Sequence, residues 1–115
     1  MKKKKHKKAP LQFGKLTFKG WSCIDSTCWR RNIADYTEPY QHHVGYIEIV
    51  FSTDKYWDFD IYHHIISDMF HKMYNVPKPP PSWFRSHCKT FNSLNEGKLF
   101  VDNFLNKLVK MKTFL

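Results

Sequence analysis

The most regular pattern in the chain is an alternation of apolar and polar residues over 43–52. In an extended chain, Ile47, Ile49 and Phe51 fall on one side and the residues between them fall on the other. Their β-branched and aromatic side chains suit a pleated, half-buried surface. The alternation therefore predicts a β-strand here, and a weaker alternation over about 11–21 predicts a second strand.

Apolar residues recur at helical spacing in the second half of the chain. Between about 58 and 74 they are separated by three or four positions, which places them on one face of a helix. We therefore expect an amphipathic helix over about 58–74, with Asp58 or Asp60 as its N-cap. The apolar stripe consists of Phe59, Tyr62, Ile66, Met69 and Met73.

Two further helices are predicted after the prolines that end this segment. A short helix over about 82–91 follows the stiff connector at Pro79–Pro81. A longer helix over about 94–112 opens at Ser93, where Glu96 completes a capping box. An apolar stripe at helical spacing runs through this last helix.

Residues 22–41 show neither period and predict a long polar loop, which in a compact domain is usually functional or anchored. The order of strands first and helices afterwards indicates an α+β fold rather than a doubly wound parallel sheet. We expect a single domain over 11–115, with two or three antiparallel strands packed against two or three helices. Residues 1–10 are expected to form a separate basic arm.

The arm holds six lysines, and no hydrophobic stretch follows it. Like charges at this density repel one another, so the arm is predicted to be flexible and disordered on its own. A nucleic-acid backbone is a natural partner, because each lysine that neutralises a phosphate releases a counterion. This composition does not fit a secretion signal. The lysines are Lys2, Lys3, Lys4, Lys5, Lys7 and Lys8.

The remainder of the chain is only mildly basic. The formal net charge is +9, and without the six arm lysines +3 is left. Basic side chains nevertheless lie among aromatic rings between residues 15 and 31, where phosphates can meet charge and bases can stack on rings. The alternative is a scattered basic surface around core aromatic residues. The predicted nucleic-acid-binding residues of the body are Lys15, Lys19, Trp29, Arg30 and Arg31.

The spacing of cysteine and histidine residues suggests a structural zinc site. Zinc binds four thiolate or imidazole ligands in a tetrahedron, and an ion there would anchor the predicted loop over 22–41. Two adjacent histidines do not form a ligand pair on a helix, so the alternative is a set of ordinary thiols without a metal. The predicted ligands are Cys23, Cys28, His42 or His43, and Cys88 or His87.

A second polar cluster lies on the first predicted helix. Spacings of four and three place Asp60, His64, Asp68 and His71 on the side opposite the apolar stripe. Carboxylates and imidazoles on one face can bind a metal or perform acid–base chemistry, as a metal-dependent nuclease that also uses His63 would require. The alternative is a solvated face with weak ion pairs. Because no nucleophile completes the cluster, we expect no catalytic residues and no enzymatic activity.

These observations favour a small non-enzymatic protein that associates with RNA, DNA or a nucleoprotein complex. The arm would lie along phosphates, while the aromatic body docks on the nucleic acid or on a protein bound to it. The alternative is a protein-binding inhibitor or adaptor of host machinery, of the kind that viruses and mobile elements encode, with exposed rings on a host protein. Three cysteines without a signal peptide indicate a reduced, cytoplasmic setting, which is the host cytoplasm for a virus-encoded protein. No apolar run reaches the length of a membrane span, so no membrane partner is expected.

Overall fold

The computed structural model describes residues 11–35, 42–77 and 86–111, apart from the side chains of Asp35, His42 and His43. Within these ranges the strands form one sheet in sequence order, every pairing is antiparallel, and the sheet curls into a half-barrel. The elements are β1 (Leu11–Phe13), β2 (Leu16–Asp25), β3 (Cys28–Asp35), β4 (His42–Phe51), β5 (Trp57–Tyr62), α1 (His64–Met73), β6 (Ser86–Phe91) and α2 (Leu94–Lys110).

Both helices pack on the same face of the sheet, which we call the inner face; the opposite face is the outer face. Ile47 and Ile49 of β4 and Phe59 of β5 are fully buried on the inner face. The ring centroid of Phe59 lies 5.4 Å from that of Phe70 in α1 and 6.4 Å from that of Phe104 in α2. Burying one such side chain stabilises the fold by about 1.5 to 3 kcal/mol. The core between sheet and helices is therefore the main source of stability.

Local backbone requirements fix the register of the sheet. Gly14 has a φ of 62° at the first central position of the β1–β2 turn, where glycine is favoured. At the β2–β3 turn, Asp25 Oδ1 accepts bonds of 2.8 Å from both the hydroxyl and the backbone N–H of Thr27, which lower the pKa of Asp25. A Cβ on Gly45 would clash with the backbone carbonyl oxygen of Tyr62. Glycine there allows the chain after β5 to pass close to β4.

Each helix begins after a side chain that accepts a backbone N–H. Ser93 Oγ accepts from Glu96 at 3.1 Å, which confirms the predicted N-cap of α2. Helix α1 begins after His63, whose Nδ1 accepts from the N–H of Ile66 at 3.4 Å. Neither helix in the described ranges is long and apolar enough to cross a membrane.

The prediction of a helix over 58–74 is wrong in its first part. Residues Trp57–Tyr62 form β5 and the helix begins only at His64, so both predicted N-caps, Asp58 and Asp60, lie within a strand. In β5 carboxylates alternate with buried apolar residues, which is the period of a strand. Apolar residues at the end of β5 also stand three or four positions before those of α1. The two patterns therefore merged into one apparent helical stripe.

The prediction of a loop over 22–41 is also wrong for most of its length. That segment contains the end of β2, a tight turn and all of β3, Cys28–Asp35. Its alternation is hard to recognise because register shifts interrupt the pairing of β2 with β3 at two places. The predicted strand over 11–21 is divided by the turn at Gly14 into β1 and part of β2.

The third correction concerns the predicted helix over 82–91, whose described part, Ser86–Phe91, is the strand β6. Six strands with two helices replace the predicted two or three strands with two or three helices, so the structure is mostly antiparallel sheet. The predicted strand over 43–52 and the last helix are confirmed as β4 and α2. The predicted arm, residues 1–10, lies outside the described residues.

Candidate functional site

The predicted binding residues of β3 are divided between the two faces of the sheet. Arg30 pairs in register with Glu48 on the outer face, whereas Trp29 and Arg31 pair with the buried isoleucines of β4 on the inner face. Successive residues of a strand point to opposite faces. The two arginines therefore do not form one basic patch, although they are neighbours in the sequence.

Trp29 and Arg31 belong to a cluster where α2 crosses β2 and β3. Trp21 Nε1 donates to Asp102 Oδ1 at 2.9 Å, and Arg31 Nη1 donates to the same oxygen at 2.8 Å. Arg31 Nε also donates to the backbone carbonyl of Lys19 at 2.7 Å. One carboxylate of α2 thus holds a side chain from each of the two strands. We define the tryptophan cluster as Trp21, Trp29, Arg31, Lys98 and Asp102.

Arg31 serves as the anchor of this cluster. Its side chain is 9% exposed, whereas that of Asp102 is 41% exposed. Burial lowers the pKa of Arg31, and the neighbouring Asp102 carboxylate acts in the opposite direction. The guanidinium stays charged at any ordinary pH. Because its charge is neutralised within the fold, Arg31 is held for packing rather than presented to a phosphate.

Lys98 places its ammonium group on the two indole rings. Its Nζ lies 3.9 Å from the ring centroid of Trp29 and 5.7 Å from that of Trp21. Both tryptophans are half-buried. Cation–π contacts of this kind contribute about 0.5 to 2 kcal/mol, depending on exposure. The cluster therefore combines a Trp21 ring held by a hydrogen bond, a neighbouring Trp29 ring and a cation on a flexible stem.

The first described strand, β1, lies at one edge of the sheet. Leu11, the first described residue, pairs with Phe18, and the exposed Lys19 comes next in β2. The carbonyl of Lys19 is the one that Arg31 binds, so this lysine adjoins the tryptophan cluster. Lys15 is exposed in the β1–β2 turn, directly before β2.

Comparison with known proteins gives no match. No family model, curated protein or solved structure matches this chain.

The outer face carries a row of ionisable residues across four strands. Arg30, Glu48, Asp60 and His87 are direct cross-strand neighbours on β3 to β6. Arg30 Nη2 donates to Glu48 Oε2 at 2.8 Å, and Asp60 Oδ1 lies 2.9 Å from His87 Nδ1. Both carboxylates are buried. Carboxylates placed directly opposite each other repel; the charge of Arg30 offsets that repulsion on one side, and a hydrogen bond joins Asp60 to His87 on the other.

A β-bulge extends this row into a second polar pair. Cys88 has no partner residue in the pairing of β5 with β6, so His87 and Thr90 face the same side although they are three positions apart. Thr90 Oγ1 donates to Asp58 Oδ1 at 3.1 Å. The helix predicted over 58–74 concealed this cluster. The alternation of carboxylates with apolar residues in β5 is a signal for Asp58 and Asp60, which are half of the cluster. Nothing in the sequence marks the bulge that brings His87 and Thr90 to the same side.

The structure does not bring the predicted zinc ligands together. Cys23 is exposed on the inner face and Cys28 is buried on the outer face of the same hairpin, while Cys88 lies three strands away from β3. The side chains of His42 and His43 lie outside the described part. Among the described residues, no three potential ligands are grouped so that they could hold a metal ion. Zinc binding stays a prediction that these positions do not support.

Two of the three thiols are held in the protonated form. Burial, followed by the hydrogen bond to Glu48, raises the pKa of Cys28 to about 11. Burial, followed by the charge of Asp60, raises the pKa of Cys88 to about 12. Because the thiolate is the form that attacks electrophiles and binds metals, neither group is prepared for such chemistry at neutral pH.

The polar helix face predicted for metal or acid–base chemistry is not formed. Asp60 lies on the outer face of β5, whereas α1, which carries His64, packs on the inner face. His71 is buried, with Nε2 2.8 Å from the Ser86 hydroxyl and Nδ1 3.2 Å from the Val76 carbonyl oxygen. A carbonyl can only accept, so Nδ1 carries a proton and donates to Val76. The bond between Nε2 and the Ser86 hydroxyl joins α1 to β6. The arrangement proposed for a metal-dependent nuclease is absent from the described residues.

Proposed function

We propose that this protein associates with nucleic acid through its lysine-rich arm and the tryptophan cluster. The observation that carries the proposal is the position of Lys98 on Trp29, 3.9 Å from the ring centroid, on the strand β3, whose partner β2 also pairs with the first described strand. A lysine offers a charge to a phosphate, and an indole offers a face to a base. These are the two groups of a nucleic acid that a protein contacts without reading its sequence.

The distribution of charge supports a division between arm and body. The two arginines of β3 are paired with Glu48 and Asp102, and the outer face carries further carboxylates at Asp58 and Asp60. The folded surface therefore has little surplus positive charge to offer. The arm, with its six lysines, supplies the electrostatic part of the affinity. The body then sets where the nucleic acid lies and contributes contacts that do not depend on salt.

Replacing the arm lysines tests this proposal. In the full-length chain, Lys2, Lys3, Lys4, Lys5, Lys7 and Lys8 are all changed to Gln, and binding to a fluorescent oligonucleotide is followed by anisotropy between about 50 and 300 mM salt. We expect the slope of log K against log salt to fall by roughly 4 to 5, since each phosphate contact contributes about 0.7 to 0.9. The matched control changes the same six lysines to Arg and should keep the slope. An unchanged slope in the Gln variant would refute the role of the arm.

A groove beside β6 favours protein binding as a second candidate. It has a volume of about 370 Å³ and lies between the strand and α2, with Leu99 62% exposed at its rim. Within the described residues, β6 is also the last strand of the sheet, so one of its two edges pairs with no other strand. A protein-binding adaptor would then use this edge. A complex with a protein partner that resists salt and is lost on Leu99→Asp would favour this function over nucleic-acid association.

A further inference from the structure

We infer that the tryptophan cluster is a stacking site for single-stranded nucleic acid, in which Lys98 covers the Trp29 ring until a base replaces it. This inference rests on the proposed function and specifies the form of nucleic acid that the body selects. It gives Lys98 and the Trp29 ring a role that the positive charge of the arm alone does not predict.

The ring nearest the anchor is fixed before any ligand arrives. Trp21 Nε1 is bound to Asp102 at 2.9 Å, and the Arg31 guanidinium carbon lies 5.7 Å from the centroid of the same ring. Trp29 stands diagonally across the β2–β3 ladder, because it pairs with Cys23 while Trp21 pairs with Arg31. A site that is already ordered loses little conformational entropy on binding. Trp21 is therefore ordered before binding, and Trp29 lies on the same face diagonally next to it.

The lysine on this surface is bound weakly enough to be exchanged. At 3.9 Å from the Trp29 centroid, the Lys98 ammonium is held by a cation–π contact, and no carboxylate of the described residues lies within ion-pair distance of it. Arg31 differs, because it is tied by hydrogen bonds to a carboxylate and a carbonyl. The flexible lysine stem lets the ammonium move from the ring to a nearby phosphate. A base can then stack on the exposed indole without loss of the positive charge.

Such a site discriminates between single and double strands. In a duplex the faces of the bases are stacked on one another, and a ring cannot reach them without unstacking a step. In a single strand the faces are accessible, and stacking on an aromatic side chain tolerates any sequence. The lysine arm, in contrast, contacts phosphates that both forms present. The arm therefore contributes the salt dependence of binding, and the tryptophan cluster contributes the preference for single strands.

The test uses the full-length protein with three fluorescent ligands: a short oligo(dT), an oligo(U) of equal length and a DNA hairpin of equal charge. For Trp29→Ala we expect binding to the single strands to weaken by roughly 5- to 150-fold, the range for loss of one base stack, while hairpin binding and the salt slope stay unchanged. Trp29→Phe should retain most of the single-strand affinity. Tyr56→Ala, an exposed aromatic residue in the turn between β4 and β5, is the matched control and should change nothing.

Lys98→Gln tests the exchange of the lysine separately. If its ammonium moves to a phosphate on binding, the salt slope for the single strands should become shallower by roughly 0.7, one contact. Trp29→Ala should not show that change, so the two variants separate stacking from charge. An unchanged slope in Lys98→Gln would refute the exchange. Comparing oligo(U) with oligo(dT) shows whether the site prefers RNA or DNA.

The outcomes distinguish this inference from the proposed function. Equal losses on single strands and hairpin in Trp29→Ala, or no loss at all, would overturn the stacking site and leave arm-driven association intact. No binding of any ligand by the unaltered protein at low salt would overturn both. Thermal unfolding of each variant shows that an affinity change does not arise from loss of the fold.

Discussion

Arg30 and Arg31 are neighbours in the chain, yet they occupy opposite faces of the sheet and join different parts of the structure. Arg31 is 9% exposed and binds a carboxylate on α2, whereas Arg30 is 29% exposed and binds Glu48 on the adjacent strand. The first pair connects helix to sheet, and the second connects two strands that backbone bonds already join. Ion pairs on the inner face therefore hold tertiary packing, while those on the outer face balance a row of charges.

The largest expected effect comes from two other neighbours on opposite faces, Phe59 and Asp58 of β5. Phe59 is fully buried and contacts rings on both helices, so Phe59→Ala should lower the free energy of unfolding by about 3 to 5 kcal/mol. Asp58→Ala removes only the bond from the Thr90 hydroxyl and should cost about 1 kcal/mol or less. Urea unfolding of both variants measures the difference. Equal losses would show that the two faces contribute alike.

The arginine pairs should give the next largest difference. Asp102→Ala leaves the buried Arg31 charge and the Trp21 N–H without their acceptor, and we expect a loss of about 2 to 3 kcal/mol. Glu48→Ala should cost less, about 1 kcal/mol, because the half-exposed Arg30 can turn to water and the repulsion of Asp60 is relieved. Urea midpoints of the two variants provide the test. A greater loss in Glu48→Ala would show that the ion pair on the outer face contributes more to stability than the pair on the inner face.

The elements that sequence patterns predicted correctly are those whose signal is local. The β4 alternation lies within one strand, and Ser93 caps α2 through the N–H of Glu96, three residues away. Strand β5 was assigned to a helix because its apolar residues run directly into those of α1. Two adjacent elements that both bury apolar residues merge into one stripe when the turn between them is a single residue, His63.

The candidate site depended on non-local features and was only partly predictable. The sequence indicated Trp29 as a ring among basic residues, but it could not separate Arg30 from Arg31, because the strand β3 was expected to be a loop. Lys98 and Asp102 complete the cluster from a helix some 70 residues away in the chain, as the separation of 71 residues between Arg31 and its acceptor shows. Bulges in β2 and β6 also change which residues share a face, and no residue type identifies them.

A smaller effect is expected at His63, which links the end of β5 to α1. Burial, and then the charge of His64, lower the pKa of His63 to about 4, while the unfolded chain has the ordinary value near 6.5. Between these values the unfolded state binds more protons, so stability should fall as the pH is lowered from about 6.5 to 4. Because the ring is partly solvated, we expect a loss of about 1 to 2 kcal/mol from this residue, measured by urea unfolding across that range.

Two variants distinguish this histidine from the others. His63→Asn keeps an N-cap that accepts the N–H of Ile66 but does not titrate, so the acid-sensitive part should disappear while stability at neutral pH changes little. His64→Gln removes the neighbouring charge and should reduce the acid loss without abolishing it. If the pH dependence of His63→Asn matches that of the unaltered protein, the acid sensitivity arises elsewhere.

The smallest effect is on the reactivity of the cysteines and involves no change in stability. The cysteines also show that burial does not always follow the face of the sheet. Cys23 is exposed although it lies on the inner face, and Cys28 is buried although it lies on the outer face. With pKa values of about 11 and 12, Cys28 and Cys88 should react slowly with a disulfide reagent at pH near 8. We expect one fast thiol in three, which Cys23→Ser should remove. A second fast thiol that Cys28→Ser removes would mean that the Cys28–Glu48 contact is opened in solution, and that the outer face is less closed than the inner one.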